Sequence, residues 1–373
     1  MTSLSSAPGS WGSPTRWPPR NGAKRVLVID RDAQANRASI RNFGFVTVTG
    51  QQRGRVWDLA RRSALTWREI APQTGIALEQ EGLLLVAQRS EAMAVIEAFA
   101  KTEMGGGCSL LTVRQARDRC PMLREGIAGA LLSSADLRVE SRTAIPLLAR
   151  WLEEAHGVEI RRGIAANRIE SGRVHLSGGG VVAAAQIVAC PGDDCVSLFP
   201  ETYAGAGITR CPLQMMRLAA PGWRLPHPVM SDFSMVRYLG YSELPEAHAL
   251  RGRLMREARE VLDRGIHLIA AQSGDGSLVV GDSHVYADTP EPFGMVAVDD
   301  AILRQFGDLF GRPLPVIERW TGTYASGPDH SVVREPLPGV HLVVVTSGTG
   351  VSTSFALAED VISSVFEGGT KLS

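Results

Sequence analysis

The sequence predicts an α/β protein: a discontinuous domain built on parallel strands, interrupted by an inserted, mostly antiparallel β domain with helices. Three observations carry this. Short Val- and Ile-rich runs, of the kind buried in parallel sheets, stand near the start, middle and end of the chain: KRVLVID at 24–30, AQIVACPG at 185–192 and HLVVVTSGTG at 341–350. Strand patterns with turn signals fill the intervals. A chain of 373 residues is also too long for one small core.

KRVLVID forms a strand closed by Asp30. Residues 53–75 form a helix with Val56, Leu59, Leu65 and Trp67 on its apolar stripe. GLLLVAQ at 82–88 is a strand, and Ser90 caps a helix that turns Met93, Ile96 and Phe99 inward. A strand over 126–139 precedes a helix over 142–155 that buries Leu147, Leu148, Trp151 and Leu152. VEIRRG, AANRIE, RVHL and AQIVACPG are short strands, and more follow between 208 and 284. A last helix runs from Ser352 to Phe366, ended by Gly368 and Gly369. The parallel-stranded domain takes 24–80, 136–205 and 318–373; the insert takes 81–135 and 206–317.

Composition narrows the function classes. Hydrophobic content of 44% and charged content of 21% fit a soluble globular enzyme. A formal net charge of +0 gives no pull toward nucleic acid or anionic membrane. No apolar run spans a bilayer, and no secretory h-region follows Met1, which predicts a cytoplasmic protein. The five cysteines (Cys108, Cys120, Cys190, Cys195 and Cys211) form no CxxC and predict no disulfide framework. The eight histidines show no ligand spacing such as HExxH, so no metal site is expected.

Four constellations carry chemistry. Asp30 closes a strand where, in a Rossmann-like fold, an acid holds an adenosine ribose hydroxyl; the alternative is an ordinary turn aspartate. In 341–361 a buried strand enters Gly348 and Gly350 and then a helix. Glycines there let backbone N–H groups approach a ligand, and the helix N-terminus favours negative charge. The alternative is a plain strand–helix turn. In IVACPGD a strand stops at Pro191–Gly192, a turn able to pass a cofactor, while Cys190 is more simply a small buried apolar residue. Lastly, Gln214, Arg217, Arg237, Tyr238, His284, Arg319 and Tyr324 form a polar set. Arginines in it suit carboxylate or phosphonate oxygens, although surface ion pairs and capped core tyrosines are the expected explanation for at least half of the set.

Taken together, SIRNFGFVTVTGQ (39–51), SSADLRVESRTAIPLLA (133–149), LQMMR, GDGSLVVGDSHVY (274–286), ERWTGTYAS (318–326) and TSGTGVSTSFALAEDV (346–361) resemble the D-amino-acid oxidase superfamily. More closely, they resemble a bacterial family of FAD-dependent oxidoreductases linked with aminophosphonate breakdown. The resemblance implies an FAD-binding Rossmann-like domain and a substrate domain, with oxidation of a C–N bond in a small amine. Hydride would pass to flavin N5, water would hydrolyse the imine, and molecular oxygen would be the acceptor. It places Asp30 on the ribose, Ser39, Arg41 and Asn42 near pyrophosphate and flavin, Ala166 by the adenine, and Gly192 beside the cofactor. Gly348, Gly350, Val351, Ser352 and Thr353 would line the flavin ring. Arg237, Tyr238, His284 and Tyr324 would contact substrate, with Arg217 a further candidate. Glycine, sarcosine or D-amino-acid oxidation is the alternative activity, and a degenerate member unable to hold FAD the non-catalytic one. No acid or base is identified.

One departure is specific. The family opens on a strand, a GxGxxG turn and a helix. Here residues 1–23 read MTSLSSAPGSWGSPTRWPPRNGA, whose Pro8, Pro14, Pro18 and Pro19 forbid a regular helix or central strand. A disordered tail is one explanation. A frame-shifted segment is the other: read one base earlier, the codons of residues 7–24 permit GAGILGLAHALAAAQRGK. Trp11 and Gly12 force one of its glycines, and two compensating single-base shifts are needed.

Overall fold

A computed structural model describes residues 24–367. Residues 1–23 and the glycines 368 and 369 lie outside this range. The strands, in chain order, are β1 (Leu27–Asp30), β2 (Phe45–Val46), β3 (Leu78–Ala87), β4 (Cys108–Leu111), β5 (Gly129–Val139), β6 (Glu159–Arg162), β7 (Ala166–Glu170), β8 (Arg173–Leu176), β9 (Val181–Ala183), β10 (Ile187–Ala189), β11 (Thr209–Leu218), β12 (Val229–Met230), β13 (Ile269–Gln272), β14 (Leu278–Gly281), β15 (Val316–Leu337) and β16 (Val340–Ser347). They make a mixed α/β fold. The largest sheet runs β10-β16-β15-β11-β14-β13-β12-β3-β5-β2, with β4 also on β5. β7, β8 and β9 form a separate antiparallel sheet.

Parallel pairing occurs where the Val/Ile runs predict it. β1 lies parallel to β6, and β10 parallel to β16. Among the described residues β1 has no partner but β6, and β10 none but β16, so each keeps an open edge. The C-terminal ends of the two pairs meet: Arg31 bonds Asp194 at 2.9 Å, and Arg37 lies 3.6 Å from Asp193. Ile29 shares a buried cluster with Ala189 and Val344.

Helices follow their apolar stripes with three corrections. In the helix Arg55–Thr74, Val56, Leu59, Trp67 and Ile70 are buried, but Leu65 is 64% exposed. Six residues past Leu59, it sits well round the helix from the stripe. Helix Ser90–Ala100 starts one residue after Arg89, so Ser90 is already inside it and its hydroxyl bonds Glu91; Ile96 and Phe99 are fully buried and Met93 only partly. In the helix Ser141–His156, Leu147, Leu148, Trp151 and Leu152 are only partly buried, since no described element covers that face completely. Leu148 and Leu152 instead line the main cavity.

Across the large sheet, a buried ionic network ties the two halves. Arg138, with no exposure, donates to Phe43 O at 3.0 Å, Gln272 O at 3.1 Å and Glu140 at 3.1 Å. Arg217 joins through Ser273, Ser277 and Glu140. Removing one member strands the others without water, so Arg138→Ala is expected to cost about 3–5 kcal/mol in urea unfolding. A loss below about 1 kcal/mol would show that water replaces the guanidinium.

Candidate active site

A cavity of about 820 Å³ lies between the parallel strands and the antiparallel sheet. One end is the turn from β16 into the helix Gly350–Glu367. Gly348 has φ +73°, and a Cβ there would lie 2.9 Å from the Tyr324 ring. Gly350 has open space where its Cβ would be. The N–H groups of the first helical turn, of which Ser352 N donates to Thr349 O, give this end partial positive charge. The turn is braced from behind: Trp67 Nε1 donates to Val351 O at 2.9 Å, and Ser352 Oγ accepts from Thr47 N at 2.9 Å. Thr353 Oγ1 donates to Thr349 O and lies 3.1 Å from His330 Nε2. Gly348→Ala should therefore lower stability by about 1–2 kcal/mol from the left-handed backbone alone. Gly350→Ala should leave it nearly unchanged; thermal denaturation compares the two.

The middle of the cavity is bordered by Ser39, Arg41, Asn42 and Gly192. Arg41 reaches Asn36 at 2.8 Å and Thr321 O at 3.3 Å. Asn42 braces its own turn, accepting from Gly44 N and Ser141 Oγ, both at 2.7 Å. Gly192 has φ +65° and free space at its Cβ position.

Another stretch of the wall is strongly polar, and Tyr324 joins it to the Gly348 turn. Arg237 Nη2 donates to Tyr286 Oη at 3.1 Å. Tyr238, His267, Asp282, His284 and Tyr324 complete this wall. His267 and His284 stack with centroids 5.3 Å apart; Tyr238 stands edge-on to His267 at 5.6 Å and Tyr324 to His284 at 6.3 Å. Asp282 lies between the imidazoles, Oδ1 3.2 Å from His267 Nε2 and Oδ2 3.6 Å from His284 Nε2. Burial pushes its carboxyl up to about 7, against the pull of Arg237. Burial and Arg237 also hold both imidazoles well below their usual range.

Thus the structure brings Arg237, Tyr238, His284 and Tyr324 together, and Ser39, Arg41, Asn42, Gly192, Gly348, Gly350, Val351 and Ser352 along the same cavity. Six candidates lie outside it. Arg217 is held in the buried ionic network, and Asp30 accepts from Asp32 N at 3.0 Å as a turn residue. Ala166 starts β7, and Thr353 turns inward from the helix. Gln214 and Arg319, both on Asp299, lie outside too. Asp282 and His267 escape a search along the chain because they meet across strands: His267 N donates to Asp282 O, and Asp282 N to His267 O. With His284 they bring potential ligand atoms within 4.8 Å of one another, a cluster that the histidine spacing does not reveal.

Parallel strand pairs beside a large mixed sheet, with a glycine turn and helix N-terminus facing a polar cavity, are the architecture of a Rossmann-like dinucleotide-binding α/β protein. Residues 19–363 match the family described as FAD dependent oxidoreductase, and the chain belongs to that family. No curated protein sequence matches it. The fold is similar to glycine oxidase from Geobacillus kaustophilus (TM-score 0.74, 16% identity, 94% of this chain and 90% of that one). It is similar to iminodiacetate oxidase from Chelativorans sp. BNC1 (TM-score 0.70, 16% identity, 95% and 92%). It is also similar to L-alpha-glycerophosphate oxidase from Mycoplasma pneumoniae with FAD bound (TM-score 0.72, 12% identity, 91% and 88%).

The protein is therefore an enzyme of an FAD-dependent class. Its residues fit the flavin end of that cofactor: Gly350 leaves room for close approach, and the helix N-terminus meets the cavity. At the pyrophosphate end, no described glycine turn enters a helix beside β1. Among the described residues no helix is long and apolar enough to cross a membrane.

Proposed function

We propose that this enzyme oxidises the C–N bond of a small anionic amine, an aminophosphonate in the first instance, with molecular oxygen as acceptor. The observation that carries the proposal is Arg237, which donates to Tyr286 in a polar stretch of the cavity wall that also includes Tyr324. A guanidinium there receives a phosphonate or carboxylate through charge-assisted hydrogen bonds and leaves the amine-bearing carbon deeper in the cavity. Bound FAD supplies the hydride acceptor. Gly350 and Val351 would border its ring, and the Tyr324 side chain packs on Gly348 beside them. A carboxylate substrate is the second candidate, favoured by two of the similar folds being a glycine oxidase and an iminodiacetate oxidase. Amine-dependent peroxide production across matched aminophosphonates and amino acids tests the choice. Preference for the carboxylates would overturn the phosphonate assignment.

The proposal extends to the N-terminal segment. The open edges of β1 and β10, with their C-terminal ends joined, leave a place for one more parallel strand. The partly uncovered Leu148 and Leu152, with Val343, Val345 and Val361, line the cavity with apolar surface that a following helix would cover. These features support a strand–turn–helix unit encoded by the shifted frame over residues 7–24. Resequencing the first hundred or so bases of the gene decides it; an unshifted frame in every isolate would remove the idea.

A further inference from the structure

We propose that Asp282 Oδ2 and His284 Nε2 receive the substrate's ammonium group, and that Asp282 takes one of its protons. The inference rests on the proposal that the cavity binds an anionic amine. Its basis is a mismatch of hydrogen-bonding groups. His284 Nδ1 lies 3.0 Å from the Gly265 carbonyl, which only accepts, so Nδ1 carries the ring proton. Nε2 of the neutral ring then presents a lone pair, 3.6 Å from Asp282 Oδ2, which only accepts while the carboxyl is ionised. Two acceptors face each other across the cavity wall with no donor between them. The other oxygen, Asp282 Oδ1, is buried and has no hydrogen-bond partner, its 3.2 Å contact with His267 Nε2 being out of line. The Asp282 side chain is only 9% exposed. Buried acceptors in this state cost free energy until a donor arrives.

A ligand ammonium supplies three donors and a positive charge. A divalent cation would also satisfy the acceptors, but it would add two charges beside Arg237, whose field already reaches Asp282, His267 and His284. A zwitterion keeps the balance, with its anion on Arg237 and its ammonium on Asp282. The aromatic edges of Tyr238 and Tyr324 close the sides. Tyr324 also abuts Gly348, which puts the carbon next to the nitrogen between the acceptor pair and the glycine turn. The proton step is R–NH3+ plus the Asp282 carboxylate giving R–NH2 plus the carboxylic acid. The N–H electron pair stays on nitrogen, and nothing is oxidised. A carboxyl raised to about 7 is matched to that transfer near neutral pH.

Calorimetry on the full chain tests this without turnover, using 2-aminoethylphosphonate against ethylphosphonate and β-alanine against propionate. The aminated member of a pair should bind about tenfold tighter or more. The advantage should shrink as pH falls below about 7, where Asp282 holds its own proton among His267, His284, Tyr238, Tyr324, Cys211 and Arg237. Asp282→Asn should abolish the advantage while ethylphosphonate still binds, and His284→Phe should reduce it; a thermal melt confirms each fold. An advantage that survives both variants overturns the proposal. So does stoichiometric zinc or manganese binding that disappears in Asp282→Asn, which would assign a metal site. Absence of binding by every ligand overturns this proposal and the anionic-amine function together. An advantage confined to the carboxylate pair keeps the ammonium site and removes the phosphonate.

Discussion

Protein made from this sequence is expected to purify with little flavin, and the same chain carrying GAGILGLAHALAAAQRGK in place of residues 7–24 to purify yellow at about one FAD per chain. The reason is local. Pyrophosphate is held by backbone N–H groups of a glycine turn at a helix N-terminus. Two such bonds to a charged group contribute about 3–6 kcal/mol, or roughly 10²- to 10⁴-fold in affinity. Among the described residues, neither β1 nor β10 has a turn of that kind on its open edge. The flavin end alone offers one helix terminus and a braced turn. Flavin absorbance per polypeptide after gel filtration measures the effect. One FAD bound per chain by the protein as encoded would show that the open edges hold the cofactor without the extra unit.

Arg237→Met is expected to lower kcat/KM for an anionic amine by about 100-fold, close to 3 kcal/mol of charge-assisted bonding. Arg237→Lys should recover part of it, since an ammonium keeps the charge but not the planar fork. There is a second effect of defined sign. Arg237 holds the Asp282 carboxyl lower than burial alone would set it, so the Met variant should raise that carboxyl above about 7. The acid limb of the pH profile, where activity rises as Asp282 ionises, should then shift to higher pH in Arg237→Met and stay near wild type in Arg237→Lys. Equal losses on a neutral amine, with no shift of the limb, would mark Arg237 as a support for the wall only.

The parallel runs at 27–30, 187–189 and 340–347 were legible because strands buried on both faces have a nearly continuous apolar pattern. The glycine turn was legible because positive φ selects glycine, as at Gly348. Arg217 was misleading for the opposite reason: an arginine held by serines and a glutamate looks the same in sequence as one awaiting a ligand. Asp282 and His267 were invisible because their partnership lies across two strands, joined by backbone bonds between residues 15 positions apart. Leu148 and Leu152 were expected to be buried because amphipathic spacing specifies a face and not what covers it.

β15 has a mechanical consequence. Its first half pairs with β11 and its second with β16, the strand that leads to the glycine turn. One continuous 22-residue strand therefore belongs to both walls of the cavity. A hinge between the walls would have to break that ladder, so the distance from Tyr324 to the glycine turn is set when the chain folds. Traffic in and out then falls to surface segments at the cavity rim and not to movement of one wall on the other. Turnover in this enzyme should then depend on local loop fluctuations and be insensitive to solvent viscosity effects on whole-domain motion.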